Sequence, residues 1–322
     1  MTAGELVAAA PRVVALGGGH GLAVSLAALR QVTDRLTAVA TVADNGGSSG
    51  RLRRELGVLP PGDLRMALAA LCRDDEWGRT WADVLQHRFS SDGELHNHSV
   101  GNLLIVALWE LLGDAVDGLD WVGRLLGAQG RVLPMSAVPL DITARVVGDD
   151  PERPDEVTEV RGQVEVATTP GRVVDVALDP ADPPACPEAV AAVAEADWVV
   201  VGPGSWFTSV IPNLLVPELA RALQETRARR LVTLNLGEQE GETDGFSPET
   251  HLEVLAGHAP ELRIDVVLAD TAHVPDTRSL RRTAESLGAE LVVADIAAVG
   301  QHLRHDPALL AGLYRRLLAQ GL

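Results

Sequence analysis

The sequence predicts an α/β fold: a doubly wound, mostly parallel, Rossmann-like sheet forming one domain over residues 1–322, with a helical insertion at about 51–130 and a small β insertion at about 131–180. Three observations predict it. Short apolar, β-branched runs recur at 12–16, 37–43, 198–201, 231–235, 264–268 and 291–294, the pattern of parallel strands buried on both faces. Several of these runs end in glycine-rich or polar loops, as strand ends do when a ligand site lies beyond them. The composition is 46% hydrophobic but only 3% aromatic, so Ala, Val and Leu fill the core, as in a sheet covered by helices.

Taken in order, residues 12–16 read as the first strand, followed by Leu22, Leu26 and Leu29 at helical spacing. The strand at 37–43 completes a β-loop-α-β start, which calls for a parallel pair and a right-handed crossover. Residues 51–130 are mostly helical. Gly62-Asp63 opens a helix through Leu71 just after Pro60-Pro61, and further helices fit 78–88, 100–112 and 118–127. The pattern then changes: Gln163–Ala167 and Arg172–Val176 alternate as an antiparallel ribbon would, and Gly148–Pro154 reads as an exposed loop. After the proline-rich turn Ala181–Pro187 the α/β rhythm returns, with a helix over 216–228. The last helix starts at His305-Asp306-Pro307, with Asp306 as N-cap and Pro307 in the first turn.

The net charge is −18. An acidic surface repels nucleic acid and anionic membranes, so neither is expected as a partner. The exception is Arg51, Arg53, Arg54 and Arg65, clustered where an anionic ligand, or an ordinary exposed helix face paired with Glu55, would explain them. Cys72 and Cys186 have no metal or redox spacing, which fits a reducing cytoplasm. No secretory signal is apparent at the start. The most apolar helix, Leu103 to Leu112, is short and contains Glu110, so membrane insertion is not expected.

Two loops dominate the candidate site. Gly17-Gly18-Gly19-His20-Gly21 has four glycines in five residues, more than one tight turn requires, and bares backbone N–H groups for a phosphate. Leu22 in the sixth position departs from the dinucleotide fingerprint, and no Gly-Lys-Ser/Thr supports a P-loop. The second loop, Asp44-Asn45-Gly46-Gly47-Ser48-Ser49-Gly50-Arg51, adds hydroxyl donors and a guanidinium. Asp44 fits three roles: ribose partner, Mg²⁺ ligand, or an Asx-turn feeding the glycines. Asp63 and Arg65 mark either another anion-facing helix start or plain capping. His96 and His98 fit capping or ligand contact better than metal. Asn102, polar at the start of an apolar helix, calls for a bond to a loop or ligand. Gly202-Pro203-Gly204-Ser205 with Thr208 and Ser209, then Asn235, then Glu242 and Thr243, follow later strands. All fall on the carboxyl edge of a parallel sheet. No Gly-x-Ser-x-Gly elbow or general base stands out, which favours binding without chemistry.

At these motifs the chain resembles the YvcK-type gluconeogenesis factors, relatives of the 2-phospho-L-lactate transferases with a CofD-like fold. The blocks Leu16–Leu22, Val42–Arg53, Leu59–Arg65, His98–Leu103, Gly202–Ser209 and Gly241–Gly245 carry the resemblance, in order, across nearly the whole chain. His20 and Trp206-Phe207 look like the actinobacterial branch. The resemblance implies a cytoplasmic factor for growth and cell shape on gluconeogenic carbon sources, binding UDP-sugars such as UDP-N-acetylglucosamine. A protein partner in cell-wall regulation and a homodimer are compatible with it. In the transferase relatives it implies a guanine nucleotide, Mg²⁺ and transfer of phosphoryl-lactate to a deazaflavin. The family usually has two aspartates where this chain has Asp44-Asn45, and the missing charge weakens an Mg²⁺ site. Glu238-Gln239-Glu240 also departs from the family pattern.

The expectation is therefore a nucleotide-sugar-binding regulator. Its first three loops cradle a diphosphate that Arg51 or Arg65 neutralises, and Asn102, Ser205 and Thr208 position nucleoside or sugar. The alternative is an Mg²⁺-dependent phosphotransferase with Asp44 on the metal. A nicotinamide enzyme with Asp44 on the ribose comes last.

Overall fold

The computed structural model describes residues 10–150, 152–239, 241–301 and 303–319. The chain opens with β1 (Val13–Gly17), α1 (Gly19–Leu29) and β2 (Leu36–Ala40). Five helices follow: α2 (Gly47–Leu56), α3 (Gly62–Ala70), α4 (Glu76–Gln86), α5 (Val100–Leu112) and α6 (Ala115–Leu126). Then come β3 (Arg131–Pro134), β4 (Asp141–Val147), β5 (Val157–Arg161), α7 (Gln163–Ala167) and β6 (Arg172–Asp179). The second half contains α8 (Pro187–Ala194), β7 (Trp198–Val201), a π-helical turn at Trp206–Val210 running into α9 (Ile211–Leu215), and α10 (Pro217–Glu225). It closes with β8 (Arg229–Thr233), α11 (Pro248–His258), β9 (Val266–Asp270), α12 (Thr277–Ser286), β10 (Glu290–Ala294) and α13 (Pro307–Ala319).

The strands form a seven-stranded sheet in the order β10-β9-β8-β7-β1-β2-β3, every pair parallel. The chain builds outward from β1 to β3, then returns beside β1 with β7 and builds the other way. The order therefore reverses between β1 and β7, which opens a crevice beyond their carboxyl ends. The central strands are buried on both faces, Val13–Gly17 and Trp198–Val201 without interruption, as the apolar runs require. A second, antiparallel sheet has the order β5-β4-β6.

Two segments differ from the sequence pattern. Residues 131–134 are not part of the antiparallel insertion but the edge strand of the main sheet, pairing with β2. Gln163–Ala167 is a helical turn, not a strand: Val166 N–H donates to the Gly162 carbonyl at 2.9 Å, Val166 is buried and Val164 is exposed. A five-residue alternation cannot distinguish the two, and contacts to Asn45, described below, decide it.

α13 docks against α1 across a buried hydroxyl cluster. Tyr314 Oη lies 3.2 Å from Ser25 Oγ and 3.1 Å from Thr233 Oγ1, which satisfies a phenol that is otherwise sealed in the core. Asp306 caps this helix, accepting from Ala308 N–H and Leu309 N–H at 2.7 and 3.2 Å, as the sequence predicts. The start of α13 is thereby fixed over the crevice. Among the described residues no helix is long and apolar enough to cross a membrane.

Candidate functional site

Helix starts sort into two kinds. Those of α4, α6, α11 and α12 are capped by Asp75, Asp114, Ser247 and Asp276. Those of α1, α2, α3 and α5, which follow the predicted motifs, have no side-chain cap from their N-cap residue. Their bare N–H groups need partners from elsewhere.

The structure divides the predicted residues between two places. The first is a cavity of 580 Å³ at the β1/β7 crevice, lined among others by His20, Gly21, Gly204, Asn235, Gln239, Arg304 and His305. Gly21 lies against the backbone of Pro203 and Gly204 so closely that a Cβ would collide with the Pro203 carbonyl. Gly19, with φ +54° and open space around it, takes the left-handed turn that lets α1 begin. Asn235 fixes the facing loop: its Oδ1 accepts from Gly204 N–H at 3.0 Å and its Nδ2 donates to the Gly204 carbonyl at 2.9 Å.

The second place is a closed polar cluster built from Asp44, Ser48, Ser49, Asp63, Arg65 and Asn102. Ser48 Oγ sits 3.0 Å from His98 Nδ1 and accepts from Asn102 Nδ2 at 3.1 Å and Ser99 N–H at 3.3 Å. With two donors on its oxygen, Ser48 donates its own proton to His98. Burial, helped by the nearby Arg51, lowers the His98 pKa and keeps it neutral enough to accept. Asn102 Nδ2 also reaches Ser49 Oγ at 3.3 Å. Asn102 thus bonds the second glycine loop.

Asp63 is the least expected member. It projects from α3 against Gly18, so its carboxyl stands at the uncapped start of α1, where the Gly19 N–H favours its ionised form. Burial, with repulsion from Asp44, pushes its pKa up to about 7. Its Oδ2 is buried without a partner among the described residues, as are Arg65 Nε and Asn102 Oδ1. Burial, then the neighbouring Arg88, brings Arg65 down to about 10. Asp44 makes the Asx-turn, its Oδ1 accepting from Gly46 N–H at 2.9 Å, while its Oδ2 faces Gly62 beside Ser49. A metal would find carboxylates from Asp44 and Asp63 here. Among the described residues no three His, Cys, Asp or Glu side chains gather into a metal-binding group. Two carboxylates suit Mg²⁺ completed by phosphate oxygens and water better than an all-protein cage.

Several predicted ligand contacts are spent inside the protein. Arg51 Nη1 and Nη2 donate to the Glu94 and His96 carbonyls at 3.1 and 2.6 Å. Arg53 pairs with Asp141 at 2.7 Å, Arg54 donates to the Asn45 carbonyl, and Arg65 donates to Gln86. The arginine cluster therefore ties elements together, and the guanidinium beside the cavity is that of Arg304. The Gly202–Thr208 loop differs from its expected role too. Glu242 Oε1 accepts from Phe207 N–H and Thr208 N–H, both at 2.8 Å, occupying the amides that an anion would use. Ser205 and Thr208 also turn to Glu242, whose buried carboxyl has a raised pKa. Thr243 Oγ1 accepts from Gln239 N–H at 2.9 Å and closes that turn. Gly46, Gly47 and Gly17 shape the two loops and line no part of the cavity.

Asn45 has a definite role. Its Nδ2 donates to Glu165 Oε2 at 2.7 Å and its Oδ1 accepts from Val164 N–H at 3.1 Å. It clamps α7 of the antiparallel sheet to the second glycine loop. An aspartate could accept from Val164 but would repel Glu165. Of the atypical segment at 238–240, Gln239 bonds Asn235 and Ser205, Glu238 lines the cavity, and Glu240 lies outside the described residues.

Residues 13–307 match the family model described as 2-phospho-L-lactate transferase CofD. The chain belongs to the CofD family. It is 56% identical over 304 residues to a Mycobacterium tuberculosis protein named "Putative gluconeogenesis factor", covering 94% of this chain and 88% of that one. It is 37% identical over 306 residues to the Listeria monocytogenes gluconeogenesis factor, covering 92% of each. A crystal structure of a UPF0052 family member from Bacillus halodurans superposes with a TM-score of 0.81 at 32% identity, covering 94% of this chain and 97% of that one. The CofD-like fold and the kinship with gluconeogenesis factors thus agree with the motif resemblance.

Of the cavity residues, sequence reasoning gave Arg304 no part in the site, named Gln239 only within an atypical segment and read His305 only as the start of a helix. Arg304 and His305 stand directly before the capped start of α13, and an Arg-His pair there in so acidic a chain was a signal for a site.

Proposed function

We propose that the protein binds a nucleoside diphosphate sugar of the UDP-N-acetylglucosamine type in the crevice cavity. In this reading it acts as a cytoplasmic factor for cell shape and growth on gluconeogenic carbon sources rather than as a catalyst. The observation that carries the reading is the cavity itself. It lies at the switch point of a doubly wound sheet, and its 580 Å³ falls within the size range of small-molecule sites. The Arg304 guanidinium, which has no ion pair among the described residues, supplies positive potential for a pyrophosphate, and His20 and Gly21 from the first turn of α1 line the same space. Asn235 and Gln239 supply amide groups beside it.

The test is the melting temperature of the full chain with UDP-N-acetylglucosamine, GDP, GTP or NAD, each with and without Mg²⁺. Stabilisation by the UDP-sugar without metal is expected, since a ligand that binds only the folded state raises the midpoint by mass action. Arg304→Ala should weaken UDP-sugar affinity by about tenfold or more, the effect of one charge-assisted contact, and leave the unliganded melting temperature unchanged. No shift with any nucleoside diphosphate sugar would sink the reading.

The Asp44–Asp63 pair favours a second reading, a phosphotransferase of the 2-phospho-L-lactate transferase class. Mg²⁺ held there would stabilise charge on a transferring phosphoryl group. Stabilisation by a guanine nucleotide only in the presence of Mg²⁺, lost in Asp44→Asn, would favour it.

A further inference from the structure

We propose that His305 determines which ligand the cavity accepts: its Nε2 takes a hydrogen bond from an O–H or N–H of the bound nucleotide sugar. This rests on the nucleotide-sugar reading above. The ring lines the cavity, the residue is only 8% exposed, and Nε2 is buried without a partner among the described residues. A polar atom with no protein partner at the wall of a ligand-sized space is an unfilled half of a hydrogen bond.

The chemistry of that half is set by the surroundings. The Leu234 carbonyl beside the ring favours a proton on the imidazole, so the one N–H of the neutral ring is assigned to that side. Burial holds the ring neutral, with a pKa lowered to about 4, although Asp270 pulls it upward. A neutral imidazole with its N–H committed offers one lone pair and no donor. Asp270 cannot reorganise to help, because it already accepts from His273 Nδ1 at 2.6 Å and from the N–H groups of Ala272, Ile296 and Ala297. The ring is also held in place. His305 pairs with Ala297 in an antiparallel bridge, and the next residue, Asp306, caps α13. Arg304 beside it meets the pyrophosphate, so the donor belongs to the group that adjoins the phosphates, the sugar on one side or the ribose on the other.

The experiment is calorimetric titration of the full chain with UDP-N-acetylglucosamine, UDP-glucose and UDP. The wild type is compared with His305→Phe, which keeps a ring and removes the acceptor, and with His305→Gln, which keeps an acceptor oxygen. His305→Phe should bind the sugar nucleotides about tenfold more weakly, the effect of one hydrogen bond with its partner left unpaired, and His305→Gln should recover part of the loss. A loss that persists with UDP places the donor on the ribose, and one confined to the sugar nucleotides places it on the sugar. Either supports the inference. Wild-type affinity in a folded His305→Phe overturns it. Nitrogen-15 spectra of the wild-type histidine ring provide a readout independent of any variant: the Nε2 signal of His305 should move on UDP-N-acetylglucosamine binding, and a stationary signal in the saturated complex overturns the inference. If the wild type binds none of the three ligands, the nucleotide-sugar reading itself falls.

Discussion

The cavity over Gly21 and Gly204 and the polar cluster around Asp63 share one carboxyl edge, yet one keeps room and the other fills it. In the cavity, Arg304 and His305 present groups that the protein leaves unmatched. In the cluster, Asp63 covers the start of α1 while Ser48, Ser49, Asn102 and His98 bond one another. The difference teaches that a glycine-rich strand end is not by itself a ligand cradle. Glycine lets something come close, and here that something is often the protein: the Pro203 backbone at Gly21, Asp63 at Gly18, and Ser49 and Asp44 at Gly62.

The comparison breaks most visibly at Gly21. Gly21→Ala places a methyl group against the Pro203 carbonyl and Gly204 Cα, backbone on both sides with nowhere to move. A loss of more than about 4 kcal/mol is expected by denaturant unfolding, and a stability near wild type would show that the two loops can part. The next test separates the cluster from the cavity by pH. Asp63 has a folded pKa of about 7, well above the ordinary aspartate value of 3.8. Its protonated form is the one the fold favours, so its contribution is fully present below the unfolded value and is lost as pH rises toward 7. Asp63→Asn should remove that decline and gain on the order of 2 kcal/mol over wild type at pH 8. Parallel pH profiles for the two proteins would show that Asp63 does not titrate in this window. The smallest effect is at the clamp. Asn45→Asp should cost about 1 kcal/mol, and Glu165→Gln in the same chain should recover much of it. Additive losses in that double-mutant cycle would mean the two side chains do not interact.

Much of the fold was legible in the sequence because parallel strands buried on both faces leave continuous apolar runs. Trp198–Val201 and Val13–Leu16 are examples, and Asp306-Pro307 announces its helix by capping chemistry. Gln163–Ala167 misled because Val164 and Val166 alternate over too short a span, and its conformation is decided by Asn45, distant in sequence. The motifs placed their loops on the carboxyl edge of the sheet, where the cavity lies. They could not show that Glu242 would take the amides of Phe207 and Thr208, or that Arg51 would be spent on carbonyls, since those partners lie tens of residues away. Arg304 and His305 escaped notice as site residues because they carry no glycine signature. They enter the cavity through the docking of α13 onto Ser25 and Thr233 by way of Tyr314.

Asp63 standing over the start of α1 would tie binding of a nucleotide sugar to the proton. A carboxyl that titrates near neutrality, a few residues from where a pyrophosphate would lie, feels each arriving negative charge as a reason to hold its hydrogen. In the nucleotide-sugar reading, filling the cavity would draw protons from the solvent, and the heat of binding would vary with the ionisation enthalpy of the buffer. Occupancy at a fixed ligand level would rise as the surroundings acidify through neutrality, so the crevice would report on acidity as well as on its ligand.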